Sequence, residues 1–230
     1  MFTVSYYEMA AGITLYCLMN HYLKSLELDL SKSNLFRNCV FYHNLLLTLY
    51  SGWTFYHIVR FMSDYSYSQI LGTDSVHVFS EPTYRNLLYL FYLSKYYEFI
   101  DTWIHYVKGK SPIFLQIYHH IGAVIIVGTG YKYEVVSMWV FLLFNSFIHT
   151  LMYYYYTMST LKVTFPLKKI LTTLQITQFV SGMPLNLYYW WFTNMNFEQQ
   201  IFIFVSSSYV FGLIYLFQQF YMKAYVKKLQ

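Results

Sequence analysis

Seven apolar stretches, each long enough to cross a bilayer as a helix, follow one another near residues 2–23, 37–61, 84–106, 113–130, 135–157, 167–191 and 198–222. A hydrocarbon core about 30 Å thick asks for about 20 mostly apolar residues per helix. No water is available there to satisfy an irregular backbone, so helices are the structure such stretches can take. Only 11% of the residues are charged, against about a quarter in a soluble domain. The chain therefore reads as an all-α integral membrane protein, residues 1–230 forming one multi-pass domain. Its net charge of +5 is spread over connections and the tail, which gives no basic patch for nucleic acid. Cys17 and Cys39 sit in different stretches without a metal-type spacing and read as buried thiols. The N-terminus carries Glu8 and no basic n-region, which argues against a cleaved signal peptide.

Loop charges orient the stretches. Connections after the first, third and fifth carry Lys24, Lys32 and Arg37, then Lys108 and Lys110, then Lys162, Lys168 and Lys169. The tail adds Lys223, Lys227 and Lys228, while the opposite connections carry Asp64, Asp74, Glu81, Glu134 and Glu198 with Lys132. Arg60 and Arg85 stand at helix ends on that second side. The positive-inside rule places the C-terminus in the cytosol and the N-terminus in the lumen. The last four residues, Lys227-Lys228-Leu229-Gln230, resemble a di-lysine retrieval signal of the endoplasmic reticulum membrane. A basic tail resting on anionic lipid is the competing reading.

Several of these stretches are interrupted by groups that a bilayer penalises, and such groups mark a functional site by default. Lys95, Glu98, Asp101 and Thr102 recur at helical spacing on one face of the third. The fourth begins after Pro112 and holds Gln116, His119 and His120. The fifth holds Asn145, His149, Met152, Tyr153 and Tyr156, and the sixth Thr172, Gln175 and Gln178. Each set lies roughly six to ten residues from the cytosolic end of its helix, about 10–15 Å deep at 1.5 Å per residue. Polar groups in one layer describe a chamber entered from the lysine-rich side. His21, His43, His57, His77 and His105 are scattered singly and read as ordinary hydrogen-bonding residues.

The layer has no cysteine, and no base is evident beside its threonines, so histidine is its best nucleophile or base. An imidazole can carry an acyl group or shuttle protons near neutral pH. Asn145 and the glutamines suit stabilisation of an oxyanion or enolate, and Glu98 or Asp101 can orient a ring N–H. A di-iron centre wants more ligands than His119, His120, His149 and two carboxylates, so no metal is expected.

These motifs together resemble the ELO family of very-long-chain fatty acid elongases. The pattern K-x-x-E-x-x-D-T matches Lys95, Glu98, Asp101 and Thr102. The box H-x-x-H-H appears as Gln116, His119 and His120. The pattern N-x-x-x-H-x-x-M-Y-x-Y-Y matches Asn145, His149, Met152, Tyr153, Tyr155 and Tyr156, and T-x-x-Q-x-x-Q matches Thr172, Gln175 and Gln178. The resemblance covers residues 95–230; the first 90 contribute compatible spans. Glutamine at 116 replaces the first histidine of the box, keeping hydrogen bonding without taking up a proton.

The resemblance implies seven helices, six of them around a narrow substrate tunnel, and an acyltransferase that condenses a long-chain acyl-CoA with malonyl-CoA to 3-ketoacyl-CoA, CO2 and CoA. His119, His120, His149, Asn145 and Gln116 would then form the catalytic set. Lys95, Glu98, Asp101, Thr102, Tyr153, Gln175 and Gln178 would line the pocket. Lys108, Lys110, Lys168 and Lys169 would meet CoA, or serve as topology determinants only. No tightly bound cofactor is implied. Partners would be membrane lipid and the ketoreductase, dehydratase and enoyl reductase that complete an elongation cycle; a homodimer is compatible. A seven-helix transporter or receptor, and a di-iron desaturase or hydroxylase, are the alternative classes.

Overall fold

The computed structural model describes residues 2–72, 75–163 and 166–226; Asp74, Lys227 and Lys228 lie outside them. Helices stand where the apolar stretches are, and their ends follow local chemistry. Ser5 and Glu8 close a capping box at the start of α1 (Tyr6–Ser25), with Glu8 N–H donating to Ser5 Oγ at 3.1 Å and Ser5 N–H to Glu8 Oε2 at 2.9 Å. Ser33 caps α2 (Asn34–Met62). Two short helices, α3 (Tyr67–Leu71) and α4 (Ser75–Ser80), occupy the long connection. Pro82, which lacks an N–H that would go unpaired there, opens α5 (Pro82–Tyr97). Then come α6 (Phe99–Val107), α7 (Phe114–Lys132), α8 (Met138–Thr160) and α9 (Lys168–Phe192). Asn196 and Gln199 form the box that starts α10 (Phe197–Tyr221), which continues into a π-helical turn, Met222–Val226.

The helices close into a ring. Going round, α2 packs on α8, α8 on α9, α9 on α10, α10 on α7, α7 on α5 and α5 back on α2; α1 lies outside the ring against α6 and α7. The surface is the inverse of a soluble protein's. Leu15 and Leu18 of α1, Leu46, Leu49 and Trp53 of α2, and Phe204, Phe211 and Tyr215 of α10 are exposed. Lys95, Glu98, His120 and His149 are buried. Apolar outside and ionisable inside is the arrangement a hydrocarbon solvent favours.

Several expectations change. The third stretch is not one helix: α5 and α6 meet at Glu98, where Asp101 N–H donates to Glu98 O at 3.1 Å, a tightened three-residue step. Among the described residues one helix, Phe197–Val226, is long and apolar enough by itself to qualify as a span, with a mean hydropathy of 1.8. Elsewhere the tyrosines and the polar groups of the site dilute the apolar signal. Arg85 stands at a helix end as expected, in the first turn of α5, but is buried there: it donates to Tyr131 O at 2.8 Å, lies over the Tyr131 ring at 3.9 Å and meets Glu134 at 3.5 Å. Cys17 and Cys39 are free but exposed, on outer helix faces where a thiol needs no polar partner.

Candidate active site

Lys95, at the last turn of α5, donates to Glu98 Oε1 at 2.7 Å and to Asn145 Oδ1 on α8 at 2.8 Å. A lysine has donors only, so it takes the oxygen of the Asn145 amide and turns the NH2 the other way. That NH2 donates to His149 Nε2 at 3.1 Å. His149 Nε2 is therefore the acceptor nitrogen, and the ring proton sits on Nδ1. Nδ1 lies 3.5 Å from Glu98 Oε1, near enough to feel its charge but without a hydrogen bond, as is Glu98 Oε2.

Across the turn at Glu98, Lys95, Glu98 and Asp101 all meet residues of α8. Asp101 takes two donors on its two oxygens, His43 Nε2 from α2 at 2.7 Å and the Tyr153 hydroxyl from α8 at 2.5 Å. The Tyr153 ring meets the His149 ring edge-on at 5.4 Å. Thr102 is directed to α1 instead, its hydroxyl 2.9 Å from that of Tyr16, which ties the outer helix to the ring.

His119 faces His149 with ring centroids 6.2 Å apart. The hydroxyl of Tyr209, on α10, lies 3.0 Å from His119 O and 3.4 Å from His119 Nδ1. His120 points towards the outer helix, its ring edge-on to Phe99 and to Tyr16, each at 6.2 Å. Gln116 stands half-buried in the first turn of α7.

On α9, Gln175 donates to Met152 Sδ at 3.4 Å, and Gln178 leaves its buried Oε1 without a hydrogen bond. An apolar cleft is lined by Asn145 and Gln178 together with Val140, Gly182, Met183 and Asn186. Thr172 does not reach the layer; it donates to Lys168 O at 3.1 Å and meets the Tyr225 hydroxyl at 3.3 Å. Lys110, Lys168 and Lys169 are exposed and Lys108 is half-buried. Burial and the neighbouring Lys110 push the Lys108 ammonium below its ordinary value. Leu30 N–H donates to Val107 O at 2.9 Å, which joins the first connection to the third at this end.

Glu98, His119 and His149 each offer one ligand atom within 4.8 Å of the others. The Lys95 ammonium already sits on Glu98, and Asn145 occupies one nitrogen of His149. A metal cation there would meet a fixed positive charge.

Sequence reasoning found Lys95, Glu98, Asp101, His119, His120, Asn145, His149, Tyr153, Gln175 and Gln178, but it set His43 aside and did not single out Tyr16 or Tyr209. A lone histidine or tyrosine in an apolar helix carries no pattern; its partner lies on another helix.

A closed ring of helices holding an ionisable layer among buried side chains defines a membrane-embedded protein with an interior histidine site. The chain belongs to the ELO family: the GNS1/SUR4 family profile matches residues 1–230. It is similar to fatty acid elongase A of Dictyostelium discoideum, 34% identical over 81% of this chain and 72% of that protein. It is also similar to fatty acid elongase sre1 of the same organism, 43% identical over 49% of this chain and 41% of that protein. Very long chain fatty acid elongase 5 of Tachysurus fulvidraco is 31% identical over 84% of this chain and 67% of its own length.

Proposed function

We propose that the chain catalyses the condensing step of fatty acid elongation, joining a long-chain acyl-CoA to malonyl-CoA through an acyl-imidazole on His119. The observation that carries this is the difference between the two facing imidazoles. His149 has one nitrogen filled by Asn145 and the other turned to Glu98, whereas no hydrogen bond among the described residues involves His119 Nε2. His119 Nε2 attacks the thioester carbonyl, the C–S bond breaks, and CoA leaves as its thiolate and takes up a proton from water, while the acylated ring keeps its Nδ1–H as an acyl-imidazolium. Malonyl-CoA then loses CO2, the freed electron pair forms a bond to the acyl carbon, and the imidazole is released. Asn145 and Gln178 would be the amides that donate to an oxyanion or enolate.

The acyl chain would enter through the apolar cleft lined by Asn145 and Gln178, and the lysines at 108, 110, 168 and 169 would meet the CoA phosphates. This reading also takes α1, α2, α5 with α6, α7, α8, α9 and α10 as seven crossings of the endoplasmic reticulum membrane, with the lysine-rich loops cytosolic. Ketoreductase, dehydratase and enoyl reductase activities would follow in the same membrane.

Membranes carrying the chain should incorporate labelled malonyl-CoA into longer acyl chains, and a labelled acyl group should map to His119. An adduct on a cysteine, or full activity in His119→Ala, would overturn the mechanism.

A further inference from the structure

We propose that Tyr209 is a positioning residue that holds His119 in the tautomer protonated on Nδ1, which leaves Nε2 as the nitrogen that reacts. The proposal assigns a reacting atom within the elongase reading and in that respect rests on it.

The hydroxyl of Tyr209 has one proton and two places to spend it. The backbone oxygen of His119, 3.0 Å away, can only accept, so the proton goes there. The other neighbour, His119 Nδ1 at 3.4 Å, then finds an oxygen lone pair and gains from it only by carrying a hydrogen. A neutral imidazole has a single N–H, so Nε2 keeps its lone pair. The same tyrosine thus reads one donor site and one acceptor site on one residue and is satisfied by a single tautomer.

The position of the ring is built into the contact between α7 and α10. A Cβ at Gly122, one turn beyond His119, would collide with the Tyr209 ring. The Tyr118 ring stacks on it at 5.3 Å with an interplanar angle of 27°. Tyr118 also donates its hydroxyl to Tyr209 O at 3.3 Å, and a Cβ at Gly212 would press on that hydroxyl. Two glycines are absent side chains that let two tyrosines interlock, and the interlock ends at His119.

The orientation matches what acyl transfer asks of a nucleophile. The Nε2 lone pair forms the bond to the thioester carbon while the positive charge that develops on the ring is met at Nδ1–H by the Tyr209 oxygen. His149 is set the same way by a different route, its Nδ1 protonated because Asn145 donates to Nε2. The two imidazoles therefore share a tautomer and differ in whether Nε2 is free.

Nitrogen resonances of the purified, 15N-histidine-labelled protein at neutral pH test this without any turnover, with the His119 signals assigned by their loss in His119→Gln. Wild type should show a protonated Nδ1 and an unprotonated Nε2 at His119. Tyr209→Phe, which removes one oxygen, should mix the two tautomers. Gly122→Ala, which keeps the oxygen but displaces the ring, should do the same. In the elongation assay Tyr209→Phe should lower kcat roughly five- to tenfold, the worth of one neutral hydrogen bond, with KM within about twofold. A protonated Nε2 in wild type, or an unchanged spectrum in Tyr209→Phe, would overturn the proposal. The stated tautomer in a protein that incorporates no malonyl carbon would support the role of Tyr209 and sink the elongase reading instead.

Discussion

Lys95 and Asn145, fifty positions apart, are joined by a hydrogen bond of 2.8 Å from the ammonium to the amide oxygen. That bond decides which way the Asn145 amide faces, and the amide decides which nitrogen of His149 is protonated. A charged residue of α5 thereby sets the state of a histidine on α8 without touching that nitrogen.

Asn145→Asp separates the two halves of this arrangement. An aspartate still accepts from Lys95 but cannot donate to His149 Nε2. Elongation should fall about 10- to 100-fold, the range seen when a group that orients a reactive imidazole is lost, while thermal stability of the purified protein changes little. Initial rates with labelled malonyl-CoA and a melting curve check both halves.

His43 should matter through its hydrogen bond and not through its ring. His43→Gln can still reach Asp101 with an N–H, and His43→Phe keeps the stacking on Tyr97, now 5.3 Å between centroids, but loses the donor. The glutamine variant should retain most of the rate, and the phenylalanine variant should lose about tenfold as the Asp101–Tyr153 support of His149 loosens. Equal rates in the two would mean that His43 only fills space.

Gly182 lines the cleft, and a Cβ there would make ordinary contact with Val140 Cγ1 at 3.7 Å. Gly182→Ala should therefore fold and work. Gly182→Phe should fill the cleft and shift the products toward shorter acyl chains by roughly one elongation step, since side-chain volume there replaces methylenes of the substrate. Chromatography of labelled products reads the shift.

Neutralising Lys110 should raise KM for malonyl-CoA by about two- to threefold and weaken its salt dependence, as expected of an exposed ion pair worth ~0.5 kcal/mol, and neutralising the half-buried Lys108 should raise it at least as much. The maximal rate should stay near wild type. No change in KM at low ionic strength would leave these lysines with topology alone.

Helix positions were legible in the chain because apolar length is a local property; the caps that set the exact starts, Ser5 with Glu8, Pro82, and Asn196 with Gln199, were not read from it. The identity of the polar layer was legible too, since ionisable groups in apolar helices have no cheap structural use. The break at Glu98 was not, because Lys95, Glu98 and Asp101 keep helical spacing in the sequence on both sides of the tightened step.

Sequence by itself determined which residues are chemically able to act; residue type and spacing along one helix are local properties. Only the tertiary structure decided which of them act on each other. His43 meets Asp101 across 58 positions and Tyr209 meets His119 across 90, and such pairings exist because separate helices close into one ring. Direction, tautomer and the choice between two facing histidines follow from those contacts, since a hydrogen bond has a donor end and an acceptor end and its partner must be in place before either is defined.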